Sequence, residues 1–169
     1  MNVVAIWTQS IDGFITSDES NSLAWRTSED REWFAKTIRL FDASIVGRKT
    51  YDSVGKPTVG RRRLVFTRDP ELLASPNENN RSYCFCSPEA SVQRLKSEGH
   101  TNVAILGGNE IYSQFIVASC IDELWITIHP VILGSGIRSS LTGRTIQLLQ
   151  FESHVYKGGL LECRYKIPR

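Results

Sequence analysis

The stretch ASIVGRKT, residues 43–50, decides the fold of this chain. Three of its first four residues are apolar, which is typical of a short buried strand, and Gly47 ends that segment. The residues that follow, 48–50, begin a predicted helix. Residues 103–108 repeat this pattern, because an apolar run there ends in two glycines before another predicted helix. Strands that pass through glycine turns into helices are the building units of an α/β sheet.

The same alternation extends in both directions from residues 43–50. Ser28 and Ser87 are typical of helix starts, and the segment 69–81, rich in proline, asparagine and acids, predicts a loop. The tail alternates around Gly158-Gly159 and predicts a closing hairpin. The predicted strands span residues 3–7, 43–46, 64–67, 83–86, 103–106 and 124–128, and the tail spans residues 146–167.

Length and composition favour one globular unit. The 169 residues are 41% hydrophobic and 22% charged, which excludes a disordered chain, a collagen-like repeat and a coiled coil. We therefore predict a single α/β domain over residues 1–169. Its central sheet should be mostly parallel and contain about eight strands, with flanking helices and an antiparallel C-terminal edge.

Charge and hydropathy exclude several classes of partner. The net charge of +2 is too small to predict a nucleic-acid or membrane-surface partner. No apolar run approaches the roughly 20 residues of a membrane span, and no basic leader begins the chain, so we expect a cytoplasmic protein. The cysteines lack the spacing of a zinc site, which predicts reduced core cysteines and no metal; they are Cys84, Cys86, Cys120 and Cys163.

Both glycine turns suit a phosphate. Glycine lets a ligand approach the backbone, and the following helix presents free N–H groups and a partial positive charge. Arg48-Lys49-Thr50 would add charge and a hydroxyl, although the same residues could form a solvated basic turn. Gly107-Gly108 lacks the third glycine of the dinucleotide fingerprint, but two such turns on one sheet still predict a dinucleotide. Arg68 would favour a 2′-phosphate, and hence NADP over NAD.

Asp30 is the acid with the clearest candidate role. It lies in the first turn of a predicted helix, close in sequence to Trp25 and Phe34. A carboxylate that faces an apolar pocket can bind an amidine-like edge through two hydrogen bonds, and an acid at this position can also simply complement the helix dipole. No nucleophile motif accompanies it. For His129, which precedes Pro130 at a predicted strand end, a structural role is favoured over a catalytic one.

Taken in order, these motifs resemble the dihydrofolate reductase superfamily, which includes the reductase domain of riboflavin biosynthesis. The resemblance covers residues 3–167. Trp25 precedes Asp30 by five residues, as a tryptophan precedes the pterin-binding acid in dihydrofolate reductases. The resemblance implies that Asp30, Thr127 and Trp25 form the catalytic set, in which Asp30 binds the pterin and Thr127 orients Asp30. Arg61 falls where the family arginine binds the α-carboxylate of the glutamate tail.

The resemblance also implies an NADPH site. Gly47 and Arg48-Lys49-Thr50 match the residues that hold the cofactor phosphates, and Thr67 and Arg68 match the 2′-phosphate site. Gly107-Gly108 matches the diglycine under the pyrophosphate. The other implied cofactor contacts are Thr8, Ile15, Ile111, Tyr112 and Gln114, and the other implied substrate contacts are Ile6, Arg31 and Phe34.

Two enzymatic activities remain open at this point. Asp30 and Arg61 together favour NADPH-dependent reduction of 7,8-dihydrofolate to tetrahydrofolate, because a folate needs an acid for its pterin and an arginine for its glutamate. Segments 10–15, 41–47, 121–124 and 130–137 instead resemble riboflavin-type reductases, which reduce a ribosylaminopyrimidine 5′-phosphate. There Arg31 or Arg61 would hold the phosphate. A non-catalytic nucleotide-binding relative is the third possibility, and the chain could be a monomer or a homodimer.

Overall fold

Strands and helices alternate along the chain in a computed structural model, which describes residues 1–17, 23–53, 61–78, 80–139 and 145–168. The strands are β1 (Asn2–Ser10), β2 (Phe14–Thr16), β3 (Ala43–Gly47), β4 (Arg62–Phe66), β5 (Arg81–Cys84), β6 (Asn102–Ile105), β7 (Glu123–His129), β8 (Ile137–Arg138), β9 (Leu149–Val155) and β10 (Leu161–Lys166). The helices are α1 (Ser28–Thr37), α2 (Arg48–Ser53), α3 (Pro70–Leu73), α4 (Pro88–Ser97) and α5 (Asn109–Val117), and a 3₁₀ turn (Ile38–Leu40) follows α1.

The main sheet has eight strands in the order β5-β4-β3-β6-β1-β7-β10-β9. The six strands from β5 to β7 pair in parallel, and β10 pairs antiparallel with both β7 and β9. The predicted parallel sheet with an antiparallel C-terminal edge is therefore confirmed. Strands covered on both faces need apolar residues at successive positions, which is why these strands could be predicted from short apolar runs.

The core lies on both faces of the sheet. On one face α5 and α4 pack Phe115 and Leu95 against the strands, with no exposure of either side chain. On the other face α1 and the turn after it contribute Trp33 and Ile38. Each fully buried side chain of this size contributes roughly 1.5–3 kcal/mol to the free energy of folding.

Local capping corrects two boundaries predicted from the sequence. Thr27, and not Ser28, caps α1, because its side chain accepts a hydrogen bond from the backbone N–H of Asp30. The predicted loop 69–81 contains α3, whose start is built by the Asp69 side chain and by Pro70 in the first turn. Both residue types are typical of a helix start, but the surrounding proline- and asparagine-rich composition concealed the signal.

The prediction of four core cysteines is wrong for two of them. Cys84 and Cys163 are buried, whereas Cys86 is exposed and Cys120 is half-buried. The reason at Cys86 is that β5 ends at Cys84, two residues earlier than predicted, so the chain leaves the sheet before the α4 cap at Ser87.

A small second sheet lies beside the main one. β2 pairs antiparallel with β8, and this pairing was not predicted, because strands of three and two residues carry too little pattern. Asp12 strengthens the link, since its carboxylate accepts hydrogen bonds from the backbone N–H groups of Leu133 and Gly134. The link ties the loop after β1 to the segment that precedes β8. None of the helices in the described ranges is long and apolar enough to cross a membrane.

Candidate active site

A cavity of about 260 Å³ lies where α1 and α2 meet β1 and β3. Its wall is mostly apolar, and Asp30 is the one carboxylate among the described residues that form it. No group of potential metal ligands occurs among the residues that the structure describes. The predicted site residues on the cavity wall are Ile6, Thr8, Ile15, Asp30, Phe34, Thr50, Arg61, Gly108 and Tyr112.

Asp30 is the centre of a buried set of polar side chains, here called the acid cluster: Asp30, Arg26, Thr127 and His129. The Asp30 side chain has 0% exposure. The Thr127 hydroxyl donates a hydrogen bond of 2.7 Å to Asp30 Oδ1. Arg26 Nε donates to the other carboxylate oxygen, Oδ2, and His129 Nε2 lies 3.5 Å from that same oxygen. Both oxygens of the acid are thus held in place by the surrounding protein.

The acid cluster keeps Asp30 ionised. Burial by itself would raise the pKa of this carboxyl group. The contacts of Asp30 with His129, Arg26 and Thr127 outweigh that effect, and the pKa lies below its ordinary value of 3.8. Near neutral pH the cavity wall therefore carries an ionised carboxylate paired with the guanidinium group of Arg26, in a largely apolar environment where interactions between charges are strong.

The register of the elements explains why these residues meet. Thr127 and His129 are two residues apart on β7, so their side chains leave the same face of the sheet. Asp30 lies in the first turn of α1, against that face. Trp25 stands edge-on to the His129 ring, with 5.0 Å between ring centres. Trp25 and Thr127 therefore support Asp30 from outside the cavity wall.

Sequence reasoning missed Arg26 and favoured a structural role over a catalytic one for His129. The Arg26–Asp30 spacing of four residues was a weak available signal, but Arg26 precedes the helix and could equally have faced solvent. No sequence pattern links His129 with Asp30, because the contact depends on how β7 and α1 pack together.

A second group of predicted site residues, here called the glycine edge, consists of Gly47, Gly107 and Gly108, of which Gly108 lines the cavity. The backbone N–H of Gly47 donates to the carbonyl oxygen of Gly107 at 2.5 Å, which joins the two turns. A Cβ atom at Gly108 would lie 3.1 Å from Thr50 Oγ1. At Gly107 it would lie 2.8 Å from the Tyr112 ring, and the φ of +90° there also favours glycine. The glycine edge is therefore shaped by the absence of side chains.

Ile111 and Tyr112 support the glycine edge from behind. A Cβ atom at Gly47 would lie 3.1 Å from Ile111 Cγ1, so Ile111 packs directly against this turn. The Tyr112 hydroxyl donates to the carbonyl oxygen of Ile6 at 2.6 Å, and burial raises the pKa of this phenol. Only Tyr112 of this pair also reaches the cavity wall.

The predicted cofactor cations lie at the surface next to the glycine edge. Arg48 pairs with Asp52 at 2.8 Å, and Lys49 is exposed. Arg68 pairs with Glu110, and both side chains are largely exposed. Gln114 Nε2 donates to the same Glu110 carboxylate at 3.3 Å. The buried Thr67 caps the next turn, because its hydroxyl oxygen accepts from the backbone N–H of Asp69.

Three arginines divide into two groups by their position relative to the cavity. Arg61 and Arg63 line the cavity, and Arg61 Nη1 donates to the carbonyl oxygen of Ile38 at the end of α1. Arg31 is exposed and lies outside the cavity wall, where it donates to the carbonyl oxygen of Arg26 at 3.1 Å. The structure thus brings Arg61 close to the candidate substrate space and leaves Arg31 outside it.

Other proteins of solved structure share this fold. A protein attributed to riboflavin biosynthesis from Shewanella sp. PV-4 matches over the whole of both chains, with a TM-score of 0.85 and 20% identity. A diaminohydroxyphosphoribosylaminopyrimidine deaminase/5-amino-6-(5-phosphoribosylamino)uracil reductase from Thermotoga maritima matches 99% of this chain and 56% of its own, with a TM-score of 0.79 and 16% identity. At such identities the likeness shows the fold and confirms the predicted α/β class.

Sequence comparison gives the family. The model of the dihydrofolate reductase family matches residues 2–137, and the chain belongs to that family of reductases. The uncharacterized protein YwjB of Bacillus subtilis (strain 168) is 32% identical over 136 residues, which cover 76% of each chain. The dihydrofolate reductase of Buchnera aphidicola subsp. Baizongia pistaciae (strain Bp) is 31% identical over 119 residues, which cover 69% of this chain and 65% of that relative. The predicted superfamily is confirmed.

Proposed function

We propose that this chain reduces 7,8-dihydrofolate to tetrahydrofolate with NADPH. The observation that carries the proposal is the ionised Asp30 on the wall of an apolar cavity, with Arg61 on the same wall. A pterin presents an amino group and a ring N–H side by side, and a carboxylate accepts both. The glutamate tail presents a carboxylate, for which an arginine is the matching group.

In the proposed reaction Asp30 acts by position and charge. Its carboxylate would accept hydrogen bonds from the 2-amino group and N3 of the pterin and hold the ring in one orientation. Its negative charge would favour the protonated, cationic form of the ring that accepts hydride at C6. Thr127 fixes Oδ1, so the carboxylate needs little reorganisation when the charge develops. The apolar side chains of Ile6 and Phe34 on the same wall would keep water away from the ring.

The residues of the glycine edge fit NADPH. The absence of a side chain at Gly108 leaves its backbone accessible beside the Thr50 hydroxyl, where a pyrophosphate would bind, and Gly108 immediately precedes α5. No side chain among the described residues caps that helix, so its first N–H groups suit an anion. Reductases of this family use NADPH, which supplies the hydride when it is bound. Arg48, Lys49 and Arg68 would attract its phosphates from the surface.

The second candidate is reduction of a ribosylaminopyrimidine 5′-phosphate. The specific observation that favours it is the pair Arg61 and Arg63, which both line the cavity. Burial lowers the pKa of Arg63, the nearby Tyr51 oxygen opposes that effect, and the charges of Arg81 and Arg61 lower the pKa further. A phosphate dianion would relieve this concentration of positive charge more than a single carboxylate would.

Loss of NADPH absorbance in the presence of 7,8-dihydrofolate tests the proposal. Wild type should oxidise NADPH only when dihydrofolate is present, and Asp30→Asn should lower kcat/KM roughly a hundredfold or more. Glu32→Gln, on an exposed position of the same helix, is the matched control and should behave as wild type.

A wild-type protein that binds NADPH but does not oxidise it with dihydrofolate would contradict this proposal. Turnover of the ribosylaminopyrimidine phosphate by the same preparation would then establish the second candidate. NADPH binding without turnover of either compound would favour a non-catalytic relative.

A further inference from the structure

Arg26 lies on the cavity wall in direct contact with the proposed pterin anchor. Its side chain is only 15% exposed, and its guanidinium carbon lies 5.8 Å from the centre of the Phe34 ring. Arg26 Nε donates to Asp30 Oδ2. A buried arginine that shares the wall of a ligand cavity with a buried carboxylate is placed to contact whatever the carboxylate binds.

The guanidinium group has donors to spare. It carries five N–H bonds in a rigid planar fork, and Nε uses one of them on Asp30. The terminal nitrogens form no hydrogen bond with any residue in the described part of the chain. The cavity wall therefore carries a row of two neighbouring groups, in which the carboxylate of Asp30 can accept and the guanidinium of Arg26 can donate.

One class of heterocycle complements the carboxylate of Asp30 and the guanidinium of Arg26. A 2-amino-4-oxopyrimidine ring, as in a pterin, offers an amino group, an N–H group and a carbonyl oxygen in sequence. The first two would donate to Asp30, and the carbonyl oxygen would accept from Arg26. A neutral 2,4-diaminopyrimidine ring has an amino group in place of the carbonyl and no hydrogen on N3. It therefore offers Asp30 one donor fewer, and it offers Arg26 no carbonyl oxygen, which leaves a largely buried donor unpaired.

We propose that Arg26 determines substrate specificity by binding the ring carbonyl oxygen adjacent to the N–H group that Asp30 holds. The site would thereby select 4-oxo over 4-amino heterocycles. This inference rests on the proposed placement of the heterocycle at Asp30. It applies equally to dihydrofolate and to a pyrimidinedione, because both carry a carbonyl group next to a ring N–H.

Two ligands that exchange a 4-oxo group for a 4-amino group test the proposal: 2-amino-5-phenylpyrimidin-4-one and 5-phenylpyrimidine-2,4-diamine. The exchange also removes the hydrogen on N3, so the role of Arg26 is measured by how each variant changes the ratio of the two Kd values. Their Kd values are measured by calorimetry on wild type, Arg26→Leu and Arg39→Leu. Arg26→Leu should weaken binding of the oxo compound roughly tenfold to a hundredfold and should change binding of the diamine much less. Arg39, exposed on the turn after α1, is the matched loss of charge, and Arg39→Leu should leave both Kd values unchanged.

Arg26→Lys guards against a loss of folding, because it keeps a positive charge beside the buried Asp30. This variant loses the planar fork, so its preference for the oxo compound should fall at least severalfold while its unfolding curve stays cooperative. A purely structural role of Arg26 would weaken both ligands by the same factor in Arg26→Leu. That outcome would overturn the proposal, and so would a ratio of Kd values that no Arg26 variant changes.

Ligand binding separates this inference from the proposed activity. A protein that does not oxidise NADPH with dihydrofolate, yet prefers the oxo ring only when Arg26 is present, would retain the specificity role and lose the folate assignment. A wild-type protein that reduces dihydrofolate but binds the two rings with equal affinity would retain the activity and exclude the role of Arg26. Failure of wild type to bind either ring would also overturn the inference.

Discussion

The acid cluster and the glycine edge both contribute to the wall of one cavity, the first through Asp30 and Arg26 and the second through Gly108, and they are built in opposite ways. At the acid cluster, side chains do the positioning, and Asp30, Thr127 and His129 are all almost completely buried. At the glycine edge, the backbone forms the surface, and the charged residues around it, such as Arg68 and Glu110, are 72% and 65% exposed.

This difference determines how much any one side chain can contribute. Interactions between buried charged groups are strong, and a partner left unpaired is costly. Exposed ion pairs contribute about 0–1 kcal/mol to the free energy of unfolding, and salt screens them. The glycine edge should therefore be sensitive to changes in backbone shape and tolerant of charge changes, whereas the acid cluster should be sensitive to single polar atoms.

The largest effect is expected from Gly107→Ala, which adds a side chain to the glycine edge. The new Cβ atom would lie 2.8 Å from the Tyr112 ring, at a residue whose φ is +90°. Backbone strain and displacement of the tyrosine together should lower the free energy of unfolding by about 3 kcal/mol. Urea unfolding monitored by tryptophan fluorescence measures this loss, and NADPH affinity should fall as well.

Gly134→Ala separates the effect of backbone strain from the effect of displacing Tyr112. Gly134 also has a positive φ, +72°, but a Cβ atom added there would have no described atom within 4 Å. The free energy of unfolding of Gly134→Ala should therefore fall only by the contribution of backbone strain, about 1 kcal/mol. Equal losses in the two alanine variants would show that the Tyr112 contact contributes nothing and that the shape of the glycine edge is less critical than its packing indicates.

The next largest effect is expected from Thr127→Val in the acid cluster. Valine keeps the shape of the side chain but removes the hydroxyl that donates to Asp30 Oδ1, which leaves a buried carboxylate oxygen with one donor fewer. The free energy of unfolding should fall by about 2 kcal/mol near neutral pH. The control is Thr8→Val, at the paired position on β1, because the buried Thr8 hydroxyl has no hydrogen-bond partner among the described residues. Removal of the Thr8 hydroxyl should therefore change the free energy of unfolding little.

Acid should reduce the contribution of this contact. The pKa of folded Asp30 is lowered, so the ionised carboxylate stabilises the fold fully above its ordinary pKa of 3.8, and this stability is lost as the pH falls through the folded pKa. In Thr127→Val the pKa of Asp30 is lowered less. The difference in unfolding free energy between the two proteins should therefore be largest above pH 3.8 and shrink below it. A difference that does not change with pH would mean that the hydroxyl stabilises packing and not the charge.

The sheet could be predicted because its signal is local. Parallel strands buried on both faces require short apolar runs, and the turns at Gly47 and Gly107 mark where such strands end. The pairing of β2 with β8 could not be predicted, since it joins residues more than a hundred positions apart in sequence through strands of only three and two residues.

The candidate site was predictable only in part. The glycine edge could be located because glycines before helices are a local pattern. The contact between Thr127 and Asp30 spans 97 residues in sequence and was implied by family resemblance, not by any pattern in this chain. The family resemblance implied no role for Arg26. Its ion pair with Asp30 depends on the approach of the chain to α1, which no hydrophobic periodicity records.

The smallest effect is expected from Glu110→Gln at the surface of the glycine edge. Glu110 holds Arg68, and its charge also opposes an approaching phosphate. The substitution should strengthen NADPH binding by no more than about fivefold at low salt, because an exposed ion pair contributes at most about 1 kcal/mol. The gain should fade at high salt and be smaller for NADH, which lacks the 2′-phosphate. Glu71→Gln on the exposed side of α3 is the matched control, and calorimetry measures all the affinities. A gain above tenfold, or one that persists at high salt, would show that this surface charge acts as strongly as the buried acid cluster. The contrast between the acid cluster and the glycine edge would then fail.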